Sequence, residues 1–429
     1  MLTLLSLLIA CGDKSDDTAT TSVTADAVAC ENNICILSGT ITEDLTLEAK
    51  NQYLLRGGVF IGDDVNETVL TIEAGTTIYG ESSTDGMLVI RRNSKIYAEG
   101  RADAPIVFTS SKEAGTRGRG DWGGLIINGN APINACADDE ADLCEAFGEG
   151  GTGFYGGTDT ADNSGILKYV RVEFAGTLIS PENELNGIAF QGVGSETEVD
   201  FIQVHMNADD GVEFFGGNVF AKHILVTGVG DDSLDWTDGW QGGAQFVILH
   251  QNDDSGDNGI EADNNGENNE AEPRSNPLLS NFTIIGSPDS EKSDKGVLLR
   301  EGTAASLANF LVVGFNDVCL SIDNSATVAQ VDAGNVTMTN SVLNCETNFD
   351  DVDGLDLEAW FTGQDGNAVG GAELTDAYTL TAPNYVPTST GDATALDAST
   401  LGADFDATDF VGAIGAEDWT AGWTTHEPN

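Results

Sequence analysis

A short motif recurs through the middle of this chain at a nearly constant step, and that periodicity limits the fold more than any other feature. GIAFQG at 187 returns as GVEFFGG at 211, SLDWTDG at 233, GIEADNN at 259, GVLLREG at 296 and VCLSIDN at 318, in steps of 24, 22, 26, 37 and 22 residues. A second set follows in phase: VDFIQV at 199, AKHILV at 221, AQFVIL at 244, SNFTII at 280 and ANFLVV at 308. Both sets are rich in β-formers and alternate in polarity, and no long stretch shows helical spacing. Several short strands per turn at this period predict an all-β parallel solenoid in which each coil buries its face against its neighbours. The 37-residue step contains DNNGENNEAEPRSNP, which reads as a loop inserted on one coil. Leucine-rich repeats share the period, but their Leu and Asn spacing is absent.

Strand alternation assigns the columns. Ile188, Val212, Leu234, Ile260, Val297 and Cys319 form one inward column, and Phe190, Phe214, Trp236, Ala262 and Leu299 the next. The opening coils run VLTIEAGTTIYG, MLVIRRNSKIYAEG, APIVFTS and DWGGLIINGNAPIN, joined later by NSGILKYVRVEFAG and FVGAIGAEDWTAGWT. This order resembles secreted bacterial right-handed parallel β-helix lipoproteins, a pectate-lyase-like solenoid, and is most similar to outer-membrane lipoproteins of the leptospiral type. The resemblance covers most of residues 50–425 and implies fold and location. It also implies a possible receptor partner, because such proteins often stand beside TonB-dependent receptors, and it implies no reaction.

The amino terminus, MLTLLSLLIAC, is an apolar run ending in Leu8-Ile9-Ala10-Cys11. It is too short to span a bilayer and is similar to a bacterial lipobox. That likeness implies a signal peptide at 1–10, lipidation of Cys11 and attachment to the cell outer membrane, facing the periplasm or the surface. Residues 12–29 are mostly Thr, Asp, Ala and Ser with little to bury, and 11–29 read as a lipidated flexible tether. The expected organisation is then a parallel β-helix over 30–345 and a C-terminal segment over 346–429. That segment has lost the repeat and carries Trp360, Trp419 and Trp423 as apolar anchors. It is expected to pack back over the open end of the solenoid, with a separate small domain as the alternative.

Six further cysteines, an even number in an exported chain, imply disulfides, and spacing favours Cys30–Cys35, Cys136–Cys144 and Cys319–Cys345. A zinc site would want clustered ligands that these spacings do not show.

Charge narrows the partners. With 71 Asp+Glu against 17 Lys+Arg, the formal net charge is −54, which excludes nucleic acid and disfavours electrostatic binding to anionic lipid. It leaves cations, cationic partners or a salty medium as natural company, and would repel an anionic polyuronate, while the partner itself could be a receptor or a polysaccharide. The acidic residues are also organised. In coils starting at 207, 229 and 255, Asp209, Asp231 and Asp257 share a column, Asp210, Asp232 and Asn258 share the next, and Glu213, Asp235 and Glu261 a third. Stacked about 4.8 Å apart, two carboxylates repel by roughly 3–4 kcal/mol at an effective dielectric of 20.

The columns therefore admit three readings. One is a solvated acidic ladder with Asp and Asn serving the turns. The second is a metal site of Asp209, Asp210, Glu213, Asp231, Asp232, Asp235, Asp257 and Glu261 on one solvent-facing sheet, with calcium the expected ion because it accepts many oxygens in flexible geometry. The third is catalysis, since ADDGVE and VGDDSLDW look like the paired-Asp strands of polygalacturonase-type hydrolases. The His-Gly and Arg-x-Lys motifs of those enzymes do not follow here. A lyase-like variant would need a basic residue on the next coil, where Lys295 and Arg300 stand. His205 and His250, on preceding strands with His223, are either transition-metal ligands or packed in the strands.

Overall fold

The computed structural model describes residues 27–136, 143–179 and 184–429. Cys11, the apolar leader and most of the tether lie outside them. Nearly all strands belong to one continuous ladder. In the middle coils a short strand alternates with a long one. The short strands are Ile188–Gln191, Val212–Phe215, Leu234–Thr237, Ile260–Ala262, Lys295–Leu299 and Val318–Ile322. The long ones are Gly165–Glu173, Glu198–His205, Phe220–Thr227, Gly243–His250, Leu278–Ile285 and Ala305–Val313. Each strand pairs in parallel with its counterpart one coil on, with Ile188 opposite Val212, Val212 opposite Leu234 and Leu234 opposite Ile260. The chain is therefore a parallel β-helix.

Its interior is one apolar column stack running from Cys35 to Phe361. Phe214 lies within it, its ring 5.2 Å from that of Phe190 and 4.1 Å from that of Trp240. One column differs from the sequence reading: Leu320, not Cys319, stacks on Val297. Cys319 is buried and bonded to Cys345. The other disulfides join Cys30 to Cys35 and Cys136 to Cys144.

Each long strand bends once, at the same place in every coil. Tyr169, Phe201, His223, Phe246, Asn281 and Asn309 all have φ between 50° and 62°, and the ladder skips them. Left-handed backbone costs a bulky residue about 1–2 kcal/mol. Ring stacking offsets the cost, with centroids 4.4 Å apart for Tyr169–Phe201, 4.1 Å for Phe201–His223 and 4.9 Å for His223–Phe246. Where the rings stop, asparagines, which tolerate this conformation, take over. Asn281 donates to the carbonyls of Phe410 and Gly412, and Asn309 to that of Leu396.

Those carbonyls belong to the C-terminal segment. Its first part closes the solenoid, with Leu357 and Phe361 of the helix Leu357–Thr362 completing the core. The remainder does not stay at the open end, as the sequence reading had it. It runs back along the outer face, burying Leu225, Ile248, Ile285 and Leu311 under Tyr385, Val411 and Ile414. Its carbonyls meet earlier and earlier coils: Thr394 accepts from Asn340, Asp406 from Gln245 and Trp423 from Arg171. At the other end, the antiparallel pair Val28–Glu31 and Ile34–Ile41 covers the first coil. Such cover shields the edge of the first coil and leaves only the short strand Val28–Glu31 as the terminal one among the described residues.

Candidate cation site

The outward column of the short strands carries the chemistry. Along it stand Ile126, Ala189, Glu213, Asp235, Glu261, Leu298 and Ser321, in register. Three adjacent carboxylates are thus bounded by apolar residues on either side. The preceding turns add Asp209, Asp231 and Asp257, and inside them Asp210, Asp232 and Asn258.

Backbone geometry fixes these side chains. The Asp232 N–H donates to Asp210 Oδ1 at 3.0 Å, and the Asn258 N–H donates to Asp232 Oδ1 at 2.6 Å. Each turn thereby clips its carboxylate to the next coil. Asn186 Nδ2 donates to Glu213 and Asn258 Nδ2 to Glu261.

All eight residues singled out in the sequence meet in one patch. Four overlapping groups have ligand oxygens within 4.8 Å of one another: Asp209, Asp210 and Asp231; Asp210, Glu213 and Asp235; Asp231, Asp232 and Asp257; Asp232, Asp235 and Glu261. The patch is not wholly solvent-facing, which corrects the sequence reading. Asp231 and Asp257 are exposed, Asp209, Asp235 and Glu261 half-buried, and Asp210, Glu213 and Asp232 buried. The cover comes from the chain before Gly165 and before Ile188. Ala146, Tyr155 and Leu185 pack with Met87, Val89, Ile126, Ala189 and Phe215 beside the acidic strands.

Burial and mutual repulsion push these groups upward. Burial, then the charge of Asp231, raises Asp209 to about 7. Burial likewise raises Glu261 to about 7, against the pull of Arg300. Asp210, Glu213, Asp232 and Asp235 are likewise driven well above the usual carboxylate range, by burial first and then by neighbouring carboxylates. Asp231 and Asp257 rise for the same reasons.

Counter-charge is scarce. Arg300 pairs with Glu261 and with Asp263, its Nε 2.8 Å from Asp263 Oδ1. Burial disfavours the Arg300 charge, but these partners outweigh it and hold the proton more firmly than usual. Lys295 pairs with Asp294 and lies 3.6 Å from Asp317. Among the described residues, Asp235 Oδ1, Asn258 Oδ1 and Asn186 Oδ1 find no donor.

An array of oxygens at these separations suits a hard cation. Calcium holds oxygens at about 2.3–2.6 Å, so two ligands of one ion lie at most about 5 Å apart. Glycoside hydrolysis needs paired carboxyl groups about 5–5.5 or 6.5–9.5 Å apart, which columns stacked about 4.8 Å per coil also offer across one or two coils. The one arginine at the patch is committed to two carboxylates, which removes it as a proton acceptor.

The histidines lie elsewhere, and no metal-compatible group among the described residues includes one. His205 is buried, 2.7 Å from both Thr227 Oγ1 and the Glu427 carbonyl, and burial depresses it to about 4. His250 meets Tyr385 and is depressed to about 3 by burial. His223 belongs to the ring stack, with Nδ1 2.7 Å from Asp200. The transition-metal reading of His205 and His250 is thus replaced by docking of the C-terminal segment.

Sequence reading missed Asn186, Asp238, Asp263 and Tyr155. Asn186 was legible, standing one 24-residue step before Asp210. Tyr155, which donates to Asp238 at 2.8 Å, comes from an excursion outside the repeat and left no signal.

The pectate-lyase-like β-helix domain family matches residues 39–424. The chain belongs to that family. No curated protein and no solved structure matches it. In this pectate-lyase-like β-helix the family match covers the solenoid and nearly all of the C-terminal segment.

The raised carboxylates give pH a testable sign. A carboxyl whose folded pKa lies above its unfolded value stabilises the fold while protonated, and that contribution is lost as pH rises through the folded value. The buried histidines act oppositely: depressed in the fold, they cost stability as pH falls below about 6.5. Between about pH 6.5 and 8.5 the carboxylates dominate. In chelator the unfolding midpoint should fall by a few degrees across that window, and Asp232→Asn with Asp235→Asn should flatten the slope. A midpoint that holds or rises would show that these groups are not raised.

Proposed function

We propose that this β-helix is a lipid-anchored lipoprotein of the bacterial outer membrane whose acidic face binds calcium, in a binding or accessory role beside an outer-membrane receptor. The cation reading is carried by one observation: eight carboxylates in four overlapping groups, with oxygens on Asp235 and Asn258 unpartnered among the described residues and little counter-charge beyond Arg300 and Lys295. Asp209, Asp210, Glu213, Asp231, Asp232, Asp235, Asp257 and Glu261 would be the ligands, with Asn258 contributing its free carbonyl oxygen. The anchor and membrane address rest on the lipobox-like Leu8-Ile9-Ala10-Cys11, and the receptor on the family resemblance. A polysaccharide hydrolase or lyase on the same columns remains the second reading, favoured by family membership. The engagement of Arg300 with Glu261 and Asp263 counts against it.

Two experiments test this proposal. Calcium that binds only the folded form stabilises it by about 2.7 kcal/mol at a hundredfold excess over its dissociation constant. Millimolar calcium should therefore raise the melting temperature well beyond sodium at matched ionic strength, and Asp232→Asn with Asp235→Asn should abolish most of that difference. Equal stabilisation by sodium would reduce the columns to screened charge. Separately, Cys11→Ser should release the protein from the membrane fraction; unchanged retention would refute the anchor.

A further inference from the structure

We infer that the hairpin Ala146–Gly148/Gly153–Tyr155 and the adjacent residues Leu178 and Ile179 form a docking surface for a partner protein segment that presents apolar side chains flanked by lysine or arginine. The inference stands apart from the cation reading and uses different residues.

Alternation on this hairpin is inverted on its open face. Ala146 and Tyr155 point into the packed layer, while the cross-strand partners Phe147 and Phe154 point outward. A strand pair with one wet face normally carries polar residues there. Here Phe147 is 57 % and Phe154 43 % exposed, their rings edge to face at 5.0 Å. A cross-strand aromatic pair also steadies a lone hairpin by about 0.2–1 kcal/mol, which would suffice if the pair stood alone. It does not, because Leu178 and Ile179, which take no part in the hairpin, are 57 % and 39 % exposed. The two elements adjoin: a side chain at Gly150 would meet Ile179 Cγ1 at 3.4 Å. Exposed apolar residues gathered on adjoining elements mark an interaction site.

The mounting is rigid, which lowers the ordering cost of binding. Tyr155 donates to Asp238, Arg92 pairs with Glu145, and Cys144 is bonded to Cys136. The occupant follows from the rim. Glu149 sits at the hairpin turn, and, burial aside, the neighbouring charge of Glu184 is the next largest influence on it. Such a rim steers cationic partners and repels anionic ones, so an anionic lipid surface is disfavoured. A neutral sugar would want convergent polar groups, and the outward side chains here are Phe, Leu and Ile.

The test uses the full chain in chelator and a fluorescent short peptide alternating leucine and lysine. Anisotropy should show binding that weakens about tenfold, a loss of about 1.4 kcal/mol, in Phe147→Ser with Phe154→Ser. It should weaken similarly in Leu178→Ser with Ile179→Ser, which leaves the hairpin intact. Val65→Ser, at an exposed apolar residue of another turn, should bind as the parent does. The proposal is overturned if both double variants bind normally. It is equally overturned if a serine–lysine peptide binds as well as the leucine–lysine one, or if the chain binds phosphatidylglycerol vesicles and not the peptide.

Discussion

Parallel stacking at about 4.8 Å per coil is the constraint from which the rest of this molecule follows. It places every residue above its counterpart one repeat away, so a side chain tolerable once must be tolerable several times over. Apolar counterparts turn that rule into a core: Ile188, Val212, Leu234 and Ile260 close on one another with no water between them. Aromatic counterparts turn it into a stack that holds a strained bend, as at Phe201, His223 and Phe246. Carboxylate counterparts turn it into concentrated charge. Glu213, Asp235 and Glu261 cannot move apart without breaking register, so protons or cations must relieve them.

The same rule explains how much could be read from sequence. The fold, the acidic columns and the cysteine pairs were legible because each repeats at a fixed step or falls at a short spacing. The eight site residues were found by phase alone. What phase could not show was depth. Asp232 looks like any outward turn residue, yet it is buried, and the excursions carrying Tyr155 and Leu185, which pack beside the neighbouring strands at Ala189 and Phe215, do not repeat. The histidines misled for a related reason. His205 and His250 sit close in sequence to acidic turns, but their long-strand positions face the C-terminal segment. Nothing local announces that the Glu427 carbonyl reaches His205 across 222 residues.

That segment and the excursion share a role. A solenoid alone exposes its sheet faces, and this chain covers one with residues after 370 and part of another with residues before 165. Between these covers lies the acidic tract, half-screened from water and poor in counter-charge. The burial that raises Asp209 and Glu261 to about 7 would also strengthen their attraction for the divalent cation proposed above.

The central claim is that protons and calcium exchange for one another on these columns. The direct measurement is titration calorimetry with calcium near pH 7, repeated in buffers of different ionisation enthalpy. The account predicts that observed heats scale with buffer enthalpy, because calcium displaces protons from groups titrating close to that pH. Calcium binding whose heat is the same in every buffer, or no binding at all, would contradict it.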